Sequence, residues 1–309
     1  GSKIQPFMSS RETAARLPEI WAAHQSTVAT YPERFKAYEE SVKVWKEKGS
    51  KGKKPKPPKD PKYDLSRNGL VRPVAPFTVK GVIWWQGESN AREPDAYAKL
   101  LPELVRQWRV LWKAPELPFI QVELANFGSP NEPTVSEDAP WPNLREAQRK
   151  AANDAPGIYL VSVIDIKEDP PVEADWEIHP ARKQIAGKRL FRAAMAVAYG
   201  NKDKPGFGPR FKTAEFKGPR VILHFDSVGK GLQPREGTTL SGFALAGADG
   251  TFHAAKVEIV DADTLVLTSD RVDRACHVRY NWANNPTGTL VNSENMPAGA
   301  FEAKVKTAE

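Results

Sequence analysis

The stretch Gly81-Val82-Ile83-Trp84-Trp85-Gln86-Gly87-Glu88-Ser89-Asn90 decides the reading of the fold. Residues 79–85 form an apolar run rich in β-branched and aromatic side chains, which predicts a buried strand. The run passes at once into Gln86, Glu88, Ser89 and Asn90. In an open parallel sheet, ligands bind in the crevice outside the strands' carboxyl ends, which is where such a cluster falls. Gly87 is read as the residue that lets the backbone turn there. The plainer alternative is a strand-end turn feeding a helix, with Ser89 or Asn90 as its cap.

Outward from this stretch, two further strands are predicted at 118–124 and 157–164. Between the first two strands, Tyr97, Leu100, Leu104, Trp108, Leu111 and Trp112 share a helical face, and Pro102 is expected to kink that helix or mark its start. Pro142 suits the first position of a helix over 142–153. A last helix over 181–199 is stopped by Gly200. Alternating strands and helices imply a parallel sheet covered by helices. From about residue 201, short alternating runs at 220–225, 256–260, 264–268 and 277–280 predict an antiparallel β-sandwich. Upstream, 11–24 reads as a short helix. Phe35, Tyr38, Val42 and Trp45 mark a separate amphipathic segment, the start of an excursion over 31–68 that leaves the domain and returns. No internal repeat is read in any zone.

Composition narrows the chemistry. Of 309 residues, 40% are hydrophobic, enough for a core, but no stretch approaches the roughly 20 apolar residues of a membrane-spanning helix. The lone Cys276 excludes an internal disulfide and a Cys-rich zinc site. No pair of histidines has metal-ligand spacing and no glycine-rich nucleotide motif is present, so no metal or cofactor is expected. Most of the net charge of +7 gathers in Lys48, Lys51, Lys53, Lys54, Lys56, Lys59 and Lys62, among four prolines and opposed only by Asp60. Without interleaved aromatics this reads as an extended, solvated linker rather than a nucleic-acid arm.

A second polar cluster follows the third strand: Asp165, then Asp175-Trp176-Glu177-Ile178-His179-Pro180. A carboxylate two or four residues before His179 can fix its tautomer and stabilise the imidazolium formed when it takes a proton. The alternative is a surface histidine ahead of a helix that begins at Pro180.

Residues 68–90, together with Trp108-Arg109, Leu117-Pro118-Phe119, Leu144-Arg145-Glu146-Ala147-Gln148, Ile178-His179-Pro180, Lys183 and Asn281-Trp282, resemble the sialate O-acetylesterase type of SGNH hydrolase, a group of carbohydrate esterases. The resemblance implies an SGNH-type three-layer parallel sheet, incomplete in this chain, followed by a smaller antiparallel β-sandwich. It implies part of the catalytic domain at 1–30, a helical and Lys/Pro-rich insertion at 31–68, the catalytic core at 69–200 and the sandwich at 201–309. The implied reaction is hydrolysis of acetyl esters on sialic acid or hemicellulose-type sugars by a serine and a histidine.

The resemblance makes His179 the general base, with Glu177 or Asp175 as its carboxyl partner. Gln86 lies on the oxyanion side, and Gly87, Glu88, Ser89 and Asn90 shape the pocket. The family's Gly-Gln-Ser-Asn nucleophile block does not occur in these residues. Gly1-Ser2 resembles the turn that follows it and contributes an oxyanion amide. The serine is therefore expected from an upstream segment or a companion chain, with a periplasmic or secreted location. The expected partner is an acetylated carbohydrate, with neither nucleic acid nor membrane. Two alternatives remain open: Ser89 as nucleophile in a near G-x-S-x-G setting, and a non-catalytic carbohydrate-binding protein on an esterase scaffold.

Overall fold

A computed structural model describes residues 2–58, 61–128, 140–166, 178–201, 203 and 205–307. The chain divides into two compact units, one of 2–78 with 99–115, the other chiefly 79–98 and 116–309.

In the smaller unit, α1 (Ser10–Arg16) opens on Ser9, whose side chain accepts from Glu12 N at 3.4 Å. A Ser followed three residues later by Glu is the pattern of a capping box. α2 (Pro18–Glu47) is one helix of 30 residues with Pro32 inside it. The expected break near residue 30 is therefore absent. Removing one N–H of a long ladder does not end a helix whose neighbouring turns remain paired.

The larger unit begins with β1 (Val82–Trp84), and the division between units falls within α3 (Pro94–Trp112), after Ala98. Pro102 sits inside α3 and does not mark its start. Then come β2 (Phe119–Val122), α4 (Pro140–Asp154), β3 (Ile158–Val161) and α5 (Lys183–Ala198). α4 starts at Pro140, so Pro142 is its third residue rather than its first. α5 starts at Lys183, three residues after Pro180. Its end is as expected: Gly200 takes φ +70°, and Asn201 N reaches back to Met195 O at 2.9 Å.

The three strands pair in parallel in the order β1-β2-β3. Alternation along β2 directs Ile120 and Val122 into a cluster with Ala186, Leu190 and Ala193 of α5. Gln121, on the opposite face, donates to Gln148 O of α4 at 2.5 Å. Helices thus cover both faces of the sheet.

The remaining strands form separate, mainly antiparallel sheets. One contains β4 (Arg210–Lys217), β5 (Arg220–Asp226), β9 (Lys256–Asp261), β10 (Thr264–Thr268) and β14 (Lys306–Thr307). Another contains β7 (Phe243–Ala246), β8 (Phe252–Ala254), β11 (His277–Tyr280) and β13 (Phe301–Lys304). β6 (Leu232–Pro234) pairs with β12 (Leu290–Asn292). Leu223, Phe225 and Leu265 of the first sheet share one core with Leu245, Val278 and Phe301 of the second.

Candidate active site

The chain leaving β1 folds on itself as a hydrogen-bonded turn. Gln86 Nε2 donates to Asn90 Oδ1 at 2.9 Å, Asn90 N to Gly87 O at 2.7 Å, and Gly87 N to Glu88 Oε2 at 3.1 Å. Glu88–Asn90 form a short 3-10 turn that places Ser89 in the same constellation. Asn90 is fully buried, so its amide is committed to holding the turn.

Gly87 is required here, though for a reason other than backbone freedom. Its φ is 166°, an extended value open to any residue. A side chain would instead meet Leu124 and Leu144, each 2.9 Å from where Cβ would stand. The glycine lets the turn settle onto these two buried leucines.

Two buried residues hold the turn from outside. The Tyr97 hydroxyl donates to Gln86 O at 3.0 Å. Gln148 of α4 donates to Val122 O at 3.1 Å and approaches Gln86 O at 3.5 Å, while its Oε1 accepts from Leu124 N at 3.0 Å. Gln148 thereby joins the chain after β1 to the chain after β2. Arg145, fully buried, gives all its bonds to backbone carbonyls: Leu124 at 2.9 Å, Ala125 at 2.9 Å, Ala283 at 2.6 Å and Asn284 at 3.0 Å. These supports were not identified as such from the sequence, although both fall in the 144–148 block quoted above.

His179 is exposed, on the chain that follows β3. Because β1 and β3 run parallel, this chain and the 86–90 turn both leave the sheet at its carboxyl side. Lys183 Nζ donates to Pro180 O at 2.8 Å and Lys183 N to Ala181 O at 2.8 Å, fixing the approach to α5. Asp175, Glu177 and Gly1 lie outside the described residues. Ser2 is exposed and belongs to the smaller unit.

Asp165 does not close the third strand, which ends at Val161, but lies in the following turn. Both of its oxygens are engaged by Arg189, at 2.5 and 2.8 Å, and Arg235 stands 3.0 Å from Oδ2. Burial pushes this carboxyl up, but the hydrogen bonds and charge of Arg189, with Arg235, hold it below the ordinary carboxylate range. It is a structural anion. Glu123, just past β2, is the opposite case. Burial pushes it above the ordinary range despite the charge of nearby Arg145, while its Oε1 accepts from Ala300 N at 2.9 Å. Among the other histidines, His24 packs against Trp21 and Tyr63, and His224 Nδ1 lies 3.2 Å from Thr264 Oγ1.

A carbohydrate acetylesterase from Xanthomonas citri is 38% identical, with a TM-score of 0.70 over 78% of this chain and 54% of that one. The model of the family described as carbohydrate esterase, sialic acid-specific acetylesterase matches residues 49–193 of this chain. Sialate O-acetylesterase of Mus musculus is 28% identical over 77% of this chain and 47% of its own length. The Homo sapiens protein of the same name is 25% identical over 73% and 45%. The chain spans about half the length of the relatives it matches.

Proposed function

We infer that this chain supplies the histidine and part of the oxyanion site of a carbohydrate O-acetylesterase. The observation that carries the reading is the buttressed polar turn 86–90 at the carboxyl side of the parallel sheet, in a chain similar to carbohydrate acetylesterases. In the proposed reaction a serine Oγ attacks the acetyl carbonyl while His179 takes its proton. The Gln86 side chain and a Gly1 or Ser2 amide stabilise the oxyanion. The sugar oxygen leaves with the proton from His179, and water then releases acetate from the acyl-enzyme by the same route. Glu177 is the proposed partner of His179, with Asp175 the other candidate. Glu88, Ser89 and Asn90 shape the pocket.

We assign the sheet to the SGNH type, with 1–30 and 69–200 in the catalytic domain, 31–68 as an insertion and 201–309 as a sandwich. The outer edge of β1 has no strand partner among the described residues, and Ile83 on it is 56% exposed. An open edge with exposed apolar residues invites another strand. We read it as the place of a further strand, from an upstream segment or companion chain, that carries the nucleophilic serine. Acetylated sialic acid and acetylated hemicellulose are the substrate classes proposed, met in the periplasm or outside the cell.

The test is acetate release from both sugars by residues 1–309 alone and by the same residues with the encoded upstream segment. Hydrolysis only in the second case supports the reading. A folded, monomeric 309-residue chain that hydrolyses unaided, and stops when Ser89→Ala is introduced, contradicts it and makes Ser89 the nucleophile.

A further inference from the structure

β3 is an outer edge of the three-stranded sheet, and no strand pairs with its far side among the described residues. Gly157 O and Val161 O accept from Phe119 N and Glu123 N, both at 2.9 Å. Main-chain groups alternate along a strand, so the N–H and C=O of Leu160 turn to the outer side.

Along that edge runs a cleft walled by Arg149 and Ala152 of α4, Leu160 of β3, Arg210 and Phe211 of β4, and Phe301 of β13. It holds about 600 Å³, part of it open to solvent, room for a single ring-sized ligand. Arg149 and Ala152 lie in the last two turns of α4, which ends where β3 begins. The cleft therefore opens towards the amino side of the sheet and at its β3 edge. The 86–90 turn follows the opposite edge strand, β1, at the carboxyl side. These are two separate places.

Both guanidiniums of the cleft keep donors in reserve. Arg149 gives Nε and Nη2 to Glu146, each at 2.7 Å. Arg210 gives Nε and Nη2 to Asp226 at 2.6 and 3.1 Å. Neither Nη1 has a hydrogen bond among the described residues, so each fork has its outer edge uncommitted. Each of the two carboxylates is also shared with a lysine: Lys150 stands 3.8 Å from Glu146, and Lys212 3.4 Å from Asp226. Asp154 acts on Arg149 by its charge, without an ion pair. Between the charged walls, Phe211 stacks on Phe301 with centroids 4.4 Å apart, an apolar floor.

We propose that this cleft is a second carbohydrate site, which takes a sugar ring bearing a carboxylate. The outer edge of a guanidinium matches the two oxygens of a carboxylate. The adjacent N–H and C=O of Leu160 suit ring hydroxyls, which both donate and accept, and the apolar face of the ring rests on Phe211. A few placed polar groups on an apolar wall are the usual make-up of a small-ligand site. A neutral sugar would leave the forks unused. A phosphate carries more charge than forks already flanked by Glu146 and Asp226 favour. The choice of a sugar over another carboxylate rests on the carbohydrate-esterase reading above.

The experiment follows amide chemical shifts of the full 309-residue chain as D-glucuronate is added, with D-glucose, acetate and glucose 6-phosphate in parallel. Glucuronate is expected to move the Leu160 and Phe211 amides and to bind about tenfold or more tightly than any of the other three. Arg210→Gln should erase the preference over glucose. Ala152→Leu keeps every charge, fills the cleft and should weaken glucuronate about tenfold or more. Arg210 is exposed and Ala152 half-buried, so circular dichroism and the unfolding midpoint should stay at wild type. The proposal is overturned by no shift with glucuronate, or by shifts confined to Gln86–Asn90. Equal binding of glucose, acetate or glucose 6-phosphate overturns it as well, as does wild-type binding by either variant. Because glucuronate carries no acetyl ester, this outcome is independent of hydrolysis. Acetate release by the complete protein decides the esterase reading separately.

Discussion

The hydroxyl of Tyr97 donates to the backbone carbonyl of Gln86 at 3.0 Å, so a fully buried residue of α3 holds the turn that follows β1. The contact fixes the backbone from which the Gln86 amide projects. Tyr97→Phe keeps the ring and removes the donor. It should cost about 1 kcal/mol of stability and lower kcat of the complete enzyme while leaving KM nearly unchanged. An unchanged kcat in a folded Tyr97→Phe variant would show that the turn keeps its position without this bond.

Gly87→Ala tests the steric account of the turn. The added methyl would meet Leu124 and Leu144, both fully buried. Overpacking of this kind costs about 1–3 kcal/mol, read as a lower urea midpoint. Leu144→Val in the same chain should recover part of the loss. No loss in the single variant would mean the leucines can move aside.

Arg145→Met should be among the most damaging single changes in the larger unit. It fills similar space but takes the donor from Leu124 O and Ala283 O, while Ala125 O keeps Trp141 Nε1 and Asn284 O keeps Phe127 N. A loss of about 3 kcal/mol or more is expected by equilibrium unfolding, and a loss below 1 kcal/mol would contradict the role given to the guanidinium.

The two buried carboxyls should respond oppositely to pH. Asp165 is held below its unfolded value of about 3.9, so it stabilises above that pH and loses its contribution as pH falls through the folded value. Glu123 is raised above its unfolded value of about 4.3, so its contribution is complete below that pH and is lost as pH rises through the folded value. Thermal unfolding from pH 4 to 8 should therefore show Asp165→Asn destabilised most at neutral pH. Glu123→Gln should gain on the wild type as pH rises. Parallel profiles for the two variants would refute the assignment.

Much of this architecture is legible from local pattern. The three parallel strands are short β-branched runs bounded by glycine, proline and polar residues, and few other structures suit them. Four strands of the β sheets are visible for the same reason. α2 was divided because its stripe of Trp21, His24, Val28 and Tyr31 continues through Pro32, where local reading expects a stop. Gln86 to Asn90 could be recognised as a polar turn. Its supports could not, since Arg145 acts on Ala283, 138 residues away, through backbone atoms that leave no mark in sequence. Asp165 shows the converse: a well-placed carboxylate whose partners, Arg189 and Arg235, make it structural.

Glu177→Gln and Asp175→Asn separate the proposed partners of His179. Glu177→Gln should slow acetyl-ester turnover more, and the reverse order would assign the role to Asp175. If neither matters, the histidine works without a carboxyl partner.

The most direct test of the account is acetate release from an O-acetylated sugar by the complete protein and by its His179→Ala variant. Loss of a general base lowers turnover by about a hundredfold to ten-thousandfold. The account predicts a fall of that size, with sugar binding and thermal unfolding close to wild type, since His179 is exposed. A folded His179→Ala protein that releases acetate at nearly the wild-type rate would contradict it.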